Sequence, residues 1–520
     1  MATLVELAIL LLPAALAYVV ARMVCARRQW NGSGGWQRWP SLLLPPAPPG
    51  SWPLIGHLHL LGPLPHQVLA ELARRHGPSL MSLRLGSVLA IVASTPQAAQ
   101  LLLQTHDHSF ASRPRTAATL HLAFDSIDIV TSPPNAYWRR MRLLCFSDLF
   151  SNKRIRSFRP IRTAGIRSLL SAILDHQSAG PIQLRQALLA VMLDIIAKMT
   201  IGRSLSQVSS HATDIISELM HLVGVANLGD CIPWLKCLDL QGYERRMKIV
   251  GWQWDSLLQA VLDERRDAWR GNGGTGGGGG SGAADLLDVL MALPDLTDDN
   301  IKAVIADMFL GGTETTSITI EWGLAELLAN PHVLKALQNE LDVVVGKARL
   351  VQEEDVINLP YLQATVKETM RLHPVAPFLV PHQSSQACKV CEYTIPANTR
   401  VLVNTWAIGR DPNVWDDPLQ FDPNRFMEKG RCSHVNVHGR HFELLPFGSG
   451  KRKCPGLSLS LLTVHTVIAS LVQAFDWQLP PGSPLVDLTE KFGLSLTLAS
   501  PLCITPSPRI DVSKCYQNTI

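Results

Sequence analysis

The alternation of apolar and polar residues sets the beginning of the chain apart from the rest. Residues 7–20 are uniformly apolar, and the run continues to Cys25 with Arg22 as its one charged residue. Two further arginines follow within three residues. Positive charge on this side keeps the following chain in the cytosol, whereas a secretory signal carries its charge before the apolar region. We expect one membrane anchor over residues 3–25, with a cleaved signal as the alternative.

Two segments rich in proline or glycine divide the remainder. Five prolines between Pro45 and Pro53 stiffen the backbone. We therefore expect residues 26–56 to form a linker and Pro-rich hinge, followed by a globular body over residues 57–510. Nine of the residues 271–282 are glycine, so nothing can pack there. Because loop insertions cost little free energy, we interpret this segment as a flexible insertion within the body.

Periodicity within the body predicts a mainly α fold with small β-sheets, an α+β class. Helical spacing dominates residues 96–270, where strand signals are few. Alternating residues around a Gly-Ser turn predict a hairpin over residues 82–92. Further helices are predicted over residues 65–75, 297–330 and 360–371, and short strands over residues 393–403.

Composition narrows the function classes. The 520 residues are 47% apolar, which is ample for a large core, and the formal net charge is only +4. No dense lysine and arginine cluster is interleaved with aromatic residues, so no nucleic acid is expected as a partner. The ten cysteines are scattered, which argues against a disulfide framework and fits the reducing side of a membrane.

One cysteine stands in a loop suited to binding a metal. Cys454 lies among three cations and three glycines within residues 447–456, directly before a long apolar run that begins at Leu457. Cations and a helix start favour the thiolate, and glycines let the backbone approach a bulky group. A soft thiolate suits a soft metal centre such as heme iron. A helix-entry turn with a spare cysteine is the alternative.

The helix predicted over residues 297–330 has a polar interruption at its centre. Residues 311–317 combine two glycines, several hydroxyl groups and Glu314, which are poor choices for a buried helix. Hydroxyls that bond to backbone carbonyls open a local bulge, and an acid beside a hydroxyl, here Glu314 beside Thr315, relays protons. A flexible kink without chemistry is the alternative.

Two further pairs lie at helical spacing. Trp138 and Arg142 share a helix face, where an indole N–H and a guanidinium together hold a carboxylate. A half-buried tryptophan and a surface arginine are the alternative. Glu368 and Arg371 are three residues apart, a spacing typical of a surface ion pair worth little, but Arg425 supplies a second arginine later in the chain.

In order and spacing these features resemble the cytochrome P450 family. Residues 447–456 match its cysteine-ligand loop, Phe-x-x-Gly-x-Arg-x-Cys-x-Gly. The hinge, the Trp-x-x-x-Arg pair, the acid–threonine groove, the Glu-x-x-Arg pair and a Pro-x-Arg-Phe segment precede it in the family's order. The resemblance covers about residues 42–505 and is close to plant members. It implies the cytochrome P450 fold, one large domain behind an N-terminal transmembrane helix.

The resemblance also implies a role for each candidate residue. Cys454 would ligate the iron of heme b, and thiolate donation favours O–O bond cleavage. Glu314 and Thr315 would deliver protons. The remaining heme-binding candidates are Trp138, Arg142, His382 and Arg452, which would neutralise the propionates, together with Phe447, Gly450 and Gly456 of the cysteine loop. A capped turn histidine is the alternative for His382.

The function implied is a monooxygenase that inserts one oxygen atom of O2 into an apolar small molecule. Electrons would come from NADPH through a membrane-bound NADPH-cytochrome P450 reductase that docks on basic residues such as Lys451 and Lys453. The expected location is the endoplasmic reticulum membrane, single-pass, with the catalytic domain in the cytosol. The alternatives are a reductase-independent heme-thiolate isomerase or lyase, and a heme-binding protein without catalysis.

The substrate stays open between two classes. Similarity to plant enzymes indicates a phenolic or flavonoid-type specialised metabolite, or a fatty acid. By resemblance, four segments would line the pocket: residues 119–130, 303–311, 375–380 and 492–496. The apolar residues expected there are Leu120, Leu122, Phe124, Phe309, Val375, Phe378 and Phe492, and Ser126 and Asp128 would add polarity.

Overall fold

The computed structural model describes residues 43–176, 180–271, 284–480, 482 and 485–517. The expected anchor over residues 3–25 lies outside the described residues, as do the first part of the linker and nearly all of the glycine-rich segment. From residue 43 onwards, the chain forms the predicted mainly helical body with small sheets.

Helices make up most of the described chain. They are α1 (Pro65–His76), α2 (Pro96–Gln100), α3 (Asp107–Phe110), α4 (Ala117–His121), α5 (Ala136–Leu144), α6 (Asn152–Ser157), α7 (Arg159–His176), α8 (Leu184–Ile201), α9 (Ala212–Gly224), α10 (Tyr243–Gly271), α11 (Leu286–Met291), α12 (Asp298–Gly312), α13 (Glu314–Ala329), α14 (Pro331–Val344), α15 (Pro360–Leu372), α16 (Thr405–Ile408), α17 (Leu457–Ala474) and α18 (Val512–Gln517). Short 3-10 or π turns connect several of them, including Leu101–Thr105, Phe124–Ser126, Cys145–Leu149, Pro233–Leu238, Pro423–Phe426 and Gly450–Arg452.

The strands form four small sheets. They are β1 (Leu80–Leu85), β2 (Val88–Ala93), β3 (Ile182–Gln183), β4 (His382–Gln383), β5 (Cys388–Val390), β6 (Tyr393–Ile395), β7 (Arg400–Val403), β8 (Phe475–Gln478), β9 (Glu490–Lys491), β10 (Thr497–Leu498) and β11 (Cys503–Pro508). The largest sheet has the order β1-β2-β7-β4, and the others are β3-β11-β8, β9-β10 and β5-β6. The predicted hairpin is confirmed, with Leu80 opposite Ala93 and Leu85 opposite Val88. Strand β7 then runs parallel to β2.

The expected single helix over residues 297–330 is two helices. Helix α12 begins after Thr297, whose hydroxyl caps it by accepting the N–H of Asn300 at 3.3 Å. It ends at Gly312, because Thr313 adopts φ −91° and ψ −70°, and α13 begins one residue later. The Thr315 hydroxyl donates to the Gly311 carbonyl at 2.6 Å across the break. The local opening expected from the glycines and hydroxyls is therefore present.

Three long helices run through the core. Helices α12, α13 and α17 are buried along most of their length. Helix α8 packs against α12 and α13, and α17 packs against α13. In the described part of the chain, α17 is also the one helix long and apolar enough to cross a membrane, but 78% of it is buried inside the protein. It is therefore a core helix, placed directly behind the cysteine loop.

A buried ion network joins α15 to the chain that leads to that loop. The Glu368 side chain is fully buried and accepts two hydrogen bonds from Arg371, both at 2.7 Å. It also accepts the Nε–H of Arg425 at 2.9 Å and the backbone N–H of Asp422 at 2.9 Å. The pair that sequence spacing alone would place on the surface is therefore a core element whose charges are mutually satisfied.

Candidate active site

The cysteine loop, helix α12 and the segment before β4 enclose one cavity of about 320 Å³. Cys454, Phe447 and Gly456 form one wall. The opposite wall is the break between α12 and α13, including Gly311 and Thr315. The cationic side chains that line the cavity are Arg113, Arg142 and Arg452, and His382 also borders it. A thiol, a helix groove with hydroxyls and a set of cations thus face the same space.

The cysteine loop is held in place by backbone contacts. The N–H of Cys454 donates to the Phe447 carbonyl at 2.9 Å, which closes the loop. Gly450 has φ +64°, and a Cβ there would lie 2.1 Å from the Leu103 carbonyl oxygen. No other residue fits that position without moving the backbone. The next N–H, of Lys451, donates to the Asp107 carboxylate at 2.9 Å. These contacts fix the direction of the Cys454 side chain.

The electrostatic setting of Cys454 has two opposing parts. Burial raises the pKa of the Cys454 thiol, while the Gly456 N–H, Arg142 and Lys453 lower it. The cationic surroundings expected from the sequence are present, but burial outweighs them. Without a metal, Cys454 is therefore a thiol at neutral pH, and a metal ion would complete the conversion to thiolate.

A tryptophan between two arginines forms the side wall of the site. The guanidinium carbons of Arg452 and Arg142 lie 4.1 Å and 5.7 Å from the centre of the Trp138 ring. The indole N–H of Trp138 donates to the Ile129 carbonyl at 3.0 Å. Arg142 donates to the Lys453 carbonyl at 2.7 Å, which joins helix α5 to the cysteine loop. Trp138 lies behind the cavity surface and supports the two cations by packing.

Arg113 completes the cationic wall, and the neutral His382 lies beside it. His382 is buried on β4, and its Nδ1 donates to the Phe110 carbonyl at 2.9 Å. Burial, followed by the nearby Arg113 charge, lowers the pKa of His382 well below its ordinary value, so the ring is neutral. Arg113 donates to the Val130 carbonyl at 3.1 Å and the Pro381 carbonyl at 2.9 Å. Sequence reasoning missed Arg113, although it is the first residue of an arginine-proline-arginine run.

These residues fit a heme. Among the described residues, Arg113, Arg142 and Arg452 form no ion pair with a carboxylate. Burial lowers the pKa of Arg452 to about 10, with the Arg142 charge as the second cause. Arg452 is buried, Arg113 and Arg142 are half-buried, and cations in such positions that bond only to carbonyls need negative charge, which two propionates would supply. The thiol on the adjacent wall is a heme-iron ligand type.

The structure separates the expected acid–alcohol pair. Thr315 lines the cavity, but Glu314 does not. The Glu314 carboxyl is hydrogen-bonded to Ser495 and lies near Arg185, and burial raises its pKa. One of its oxygens is buried without a hydrogen-bond partner. The Glu314 carboxyl therefore lies behind the groove. A proton can pass from it to the Thr315 hydroxyl only if the side chain rotates or a water bridges the two groups.

The apolar lining differs from the expectation. Val375 lines the cavity as expected, but Phe378 packs against Phe492 in a separate cluster, with ring centres 5.9 Å apart. Phe309 instead packs edge-on against Trp254 at 5.6 Å. Neither Leu120, Leu122 nor Phe124 reaches the cavity. The apolar side chains that replace them come from α8 and are Met192, Ile195, Ile196 and Met199.

A second groove opens on the other side of the cysteine loop. It has a volume of about 390 Å³ and lies between α5 and the loop. Arg139, Lys451 and Lys453 line it together with Phe146, which is 48% exposed. Trp138 and Gly450 also border it. This groove is therefore a basic surface with an apolar centre, separated from Cys454 only by the loop.

Comparison with known proteins agrees with the geometry. Residues 45–504 match the family model described as cytochrome P450. The chain is 41% identical over 488 residues to 3,9-dihydroxypterocarpan 6A-monooxygenase of Glycine max, covering 92% of this chain and 95% of that protein. It is also 41% identical over 479 residues to flavonoid 3'-monooxygenase CYP75B137 of Crocosmia x crocosmiiflora, covering 90% and 93%. A solved zebra fish cytochrome P450 with progesterone superposes with a TM-score of 0.72 at 28% identity, covering 86% of this chain and 99% of that one.

Proposed function

The chain belongs to the cytochrome P450 family, and on that premise we propose that it hydroxylates a phenolic, flavonoid-type small molecule. The protein is a heme-thiolate monooxygenase that needs O2, a redox partner and NADPH-derived electrons. One observation supports the assignment most strongly. The buried Cys454 thiol, the cationic wall and the hydroxyl of Thr315 face a single cavity.

Cys454 would hold the heme iron through its sulfur, and the Gly456 N–H would tune that ligand by hydrogen bonding. Arg113, Arg142 and Arg452 would neutralise the propionates. When bound, the heme supplies the activation of O2 that a C–H hydroxylation needs. Phe447, which borders the cavity beside the sulfur, would screen Cys454 from water. Neutral His382 would add no charge, and because its Nδ1–H donates to the Phe110 carbonyl, its Nε2 is left as a hydrogen-bond acceptor.

Proton delivery would be shared between Thr315 and Glu314. The Thr315 hydroxyl already donates to the Gly311 carbonyl, so its oxygen can accept a proton from water and pass one on. Because burial raises the pKa of Glu314, its carboxyl holds a proton more tightly than an exposed glutamate does and would serve as the proton donor. A hydroxyl at the groove and an acid behind it distinguish this site from that of an isomerase, which needs no proton delivery.

The redox partner would dock at the basic groove beside α5. Lys451 and Arg139 are exposed there, so an acidic surface of a flavoprotein would be attracted. We propose an NADPH-cytochrome P450 reductase as this partner. We propose that both proteins would meet on the endoplasmic reticulum, with residues 3–25 as the anchor, residues 26–56 as linker and hinge, and residues 57–510 as the catalytic body with an insertion at 271–282.

The substrate class rests on the relatives and on the cavity lining. Two relatives at 41% identity are named as monooxygenases of a pterocarpan and of a flavonoid. The side chains from α8 that face the cavity are apolar, and Met192 and Met199 are able to adapt to a rigid ring system. Threonines 315, 316 and 319 offer hydroxyls on the opposite side, which suits a polyphenol better than a fatty acid.

The decisive experiment combines a spectrum with a product screen. The full chain is produced in microsomes with a plant reductase, and the reduced protein is titrated with carbon monoxide. We expect the red-shifted Soret band of a heme-thiolate protein. The same microsomes then receive NADPH with flavanones, flavones, pterocarpans or medium-chain fatty acids. We expect singly oxygenated products from the phenolic compounds. Oxygenation of the fatty acids alone would overturn the substrate class, and absence of the band would overturn the function.

A further inference from the structure

A short segment, residues 127–132, forms the cavity wall between the cationic residues and helix α12. The carbonyls of Ile129, Val130 and Ser132 accept hydrogen bonds from the arginines. The Ile129 carbonyl accepts the Trp138 indole N–H at 3.0 Å and an N–H of Arg452 at 3.3 Å. The Val130 carbonyl accepts an N–H of Arg113 at 3.1 Å. The position of this segment therefore sets the position of the cations.

The opposite side of the same segment is held by a carboxyl group of α12. Asp307 accepts the Ile129 N–H at 2.6 Å and a second N–H from Val130. It lines the cavity, and Gly311 and Thr315 follow it at intervals of four residues. These three positions lie on one helix face, so the carboxyl that holds the segment belongs to the same face as the groove.

A second carboxyl group meets Asp307 at this point. Asp128 is 3% exposed and Asp307 is 8% exposed, Asp307 accepts the N–H of the residue that follows Asp128, and each carboxyl influences the pKa of the other through a side-chain hydrogen bond. Two carboxylates cannot bond in this way, because neither has a hydrogen to donate. No arginine or lysine among the described residues forms an ion pair with either of them. A hydrogen bond between the two carboxyls therefore requires one of them to be protonated.

We propose that Asp128 and Asp307 share one proton and act as a positioning pair that fixes residues 127–132, and with them the cationic wall, against helix α12. The protonated carboxyl donates to its partner. The partner's remaining oxygens accept backbone N–H groups, including that of Thr131 on Asp128 at 3.1 Å. The hydrogen bond between the two carboxyls depends on the proton, whereas the backbone N–H bonds are accepted in either protonation state. The pair needs no particular substrate, so it stands apart from the proposed substrate class.

The surrounding charges agree with a retained proton. Burial raises the pKa of Asp307 well above its ordinary value, and the Asp128 charge raises it further. Burial also raises the pKa of Asp128, against Thr131 and the more distant Arg452. The other titratable groups that face the pair are Tyr137 and Cys145, whose pKa values are raised to about 12 by burial and then by Asp307. Both are neutral at physiological pH, and Arg113 acts on Asp128 from beyond the segment.

The proposal predicts a specific sign for the pH dependence of stability. The folded protein keeps a proton that the unfolded chain releases above the ordinary carboxyl pKa of about 4. The free energy of unfolding therefore falls as pH rises, with the slope expected when the folded state binds about one proton more than the unfolded chain. The fall ends at the pH where the folded pair itself loses that proton. A conventional buried carboxylate bonded only to N–H groups has a lowered pKa. It would instead stabilise the protein as pH rises through the acidic range.

The test uses the full-length, heme-loaded protein and its Asp307→Asn and Asp128→Asn variants. In each variant the new amide donates where the shared proton did, so the fold is kept and the proton is no longer needed. The temperatures of Soret loss and of fluorescence unfolding are measured from pH 5.5 to 9. The pH dependence of wild-type stability should contain a contribution from about one bound proton. We expect each single variant and the double variant to lose that same contribution. The exposed Asp125→Asn variant, three residues before Asp128, should leave the slope unchanged.

A second readout separates the proton from simple packing. Hydrogen exchange of the peptide that contains residues 127–132 is compared between Asp307→Asn and Asp307→Leu. The amide still accepts the Ile129 N–H, whereas leucine cannot, so we expect exchange at least tenfold faster in the leucine variant only. An unchanged pH slope in both asparagine variants, or separate and additive losses in the double variant, would refute the shared proton. Equal exchange in all three proteins would refute the positioning role.

Discussion

The guanidinium carbon of Arg452 lies 4.1 Å from the centre of the Trp138 ring, and both side chains bond to the carbonyl of the same residue, Ile129. Trp138 belongs to helix α5 and Arg452 to the cysteine loop, two elements that are more than 300 residues apart. The stacking contact and the shared acceptor hold the loop and the helix in one geometry. The geometry of the cationic wall therefore depends on Trp138 and Arg452 together rather than on either residue alone.

Replacing Arg452 should impair heme retention more than replacing its aromatic neighbour. We expect Arg452→Ala to lower the heme content of the purified protein by at least about tenfold, because a buried charge-assisted hydrogen bond is worth roughly 1.5–3 kcal/mol. Trp138→Phe keeps a ring under the arginine but loses one hydrogen bond, so a loss of a few-fold is expected. Heme content is measured by the pyridine hemochrome spectrum. Arg139→Ala, on the exposed face of α5, serves as the control and should retain normal content.

Cys454→Ser should abolish the heme-thiolate spectrum. The hydroxyl cannot replace the soft sulfur donor, so the reduced carbon monoxide complex is expected to lack the red-shifted Soret band and to show no oxygenation. Cys503→Ser changes an exposed cysteine on β11 and should leave the spectrum unchanged. A thiolate spectrum that survives in the Cys454 variant would place the iron ligand elsewhere.

Glu368→Gln should destabilise the fold around the cysteine loop. The variant leaves the buried guanidinium groups of Arg371 and Arg425 without their charge partner, and breaking a buried pair costs roughly 3–5 kcal/mol. We expect a lower yield of heme-bound protein and a lower unfolding temperature. The comparison variant is Glu71→Gln, which removes an exposed partner of Arg74 and Arg75 and should cost less than about 1 kcal/mol. Equal effects of the two variants would contradict the network's role.

Thr315→Ala should separate electron consumption from product formation. The hydroxyl that faces the cavity is lost, so proton delivery slows, and general acid–base contributions are on the order of 10²–10⁴-fold. We expect at least a tenfold lower yield of product per NADPH consumed, with hydrogen peroxide replacing it. Thr315→Ser keeps the hydroxyl and should restore most of the yield. Thr319→Ala removes a neighbouring cavity hydroxyl and serves as the position control.

His465 should contribute acid sensitivity to the core. Burial in helix α17 lowers its pKa to about 4 from the ordinary 6.5. The unfolded chain takes up the proton first, so stability is lost as pH falls from about 6.5 towards 4, by roughly 3 kcal/mol in total. We expect His465→Gln to reduce the fall in unfolding temperature between pH 7 and pH 5. His108→Gln, at an exposed position, should leave that fall as in the wild type, and identical curves for all three proteins would contradict the assignment.

The spacing and order of the motifs were sufficient to predict that Cys454, Arg142 and Arg452 lie at one cavity. Each motif belongs to a helix or loop whose type the local residue pattern predicts. The Glu368 network was also recognisable, since a second arginine follows in the order that a buried cluster requires. What the pattern of residues could not provide was the direction of individual side chains. Adjacent helical positions point about 100° apart, and this alone sends Glu314 away from the groove that Thr315 faces.

The apolar lining failed to follow from the sequence for a different reason. Phe378 and Phe492 pack against each other. Each ring therefore covers the other instead of facing the cavity. Asp307 was overlooked although its spacing of four residues from Gly311 placed it on the groove face. The carboxyl looked like an ordinary polar interruption, because its partner, Asp128, lies 179 residues earlier in the chain.

The contact between Arg142 and the Lys453 carbonyl spans 311 residues. A ribosome that adds about 5–20 residues per second needs roughly 15–60 s between the two. Throughout that interval the first half of the site is already outside the ribosome, without its iron ligand and without the loop that closes it. Heme capture through Cys454 therefore waits until at least 454 of the 520 residues have been made, so most of the chain precedes the cofactor.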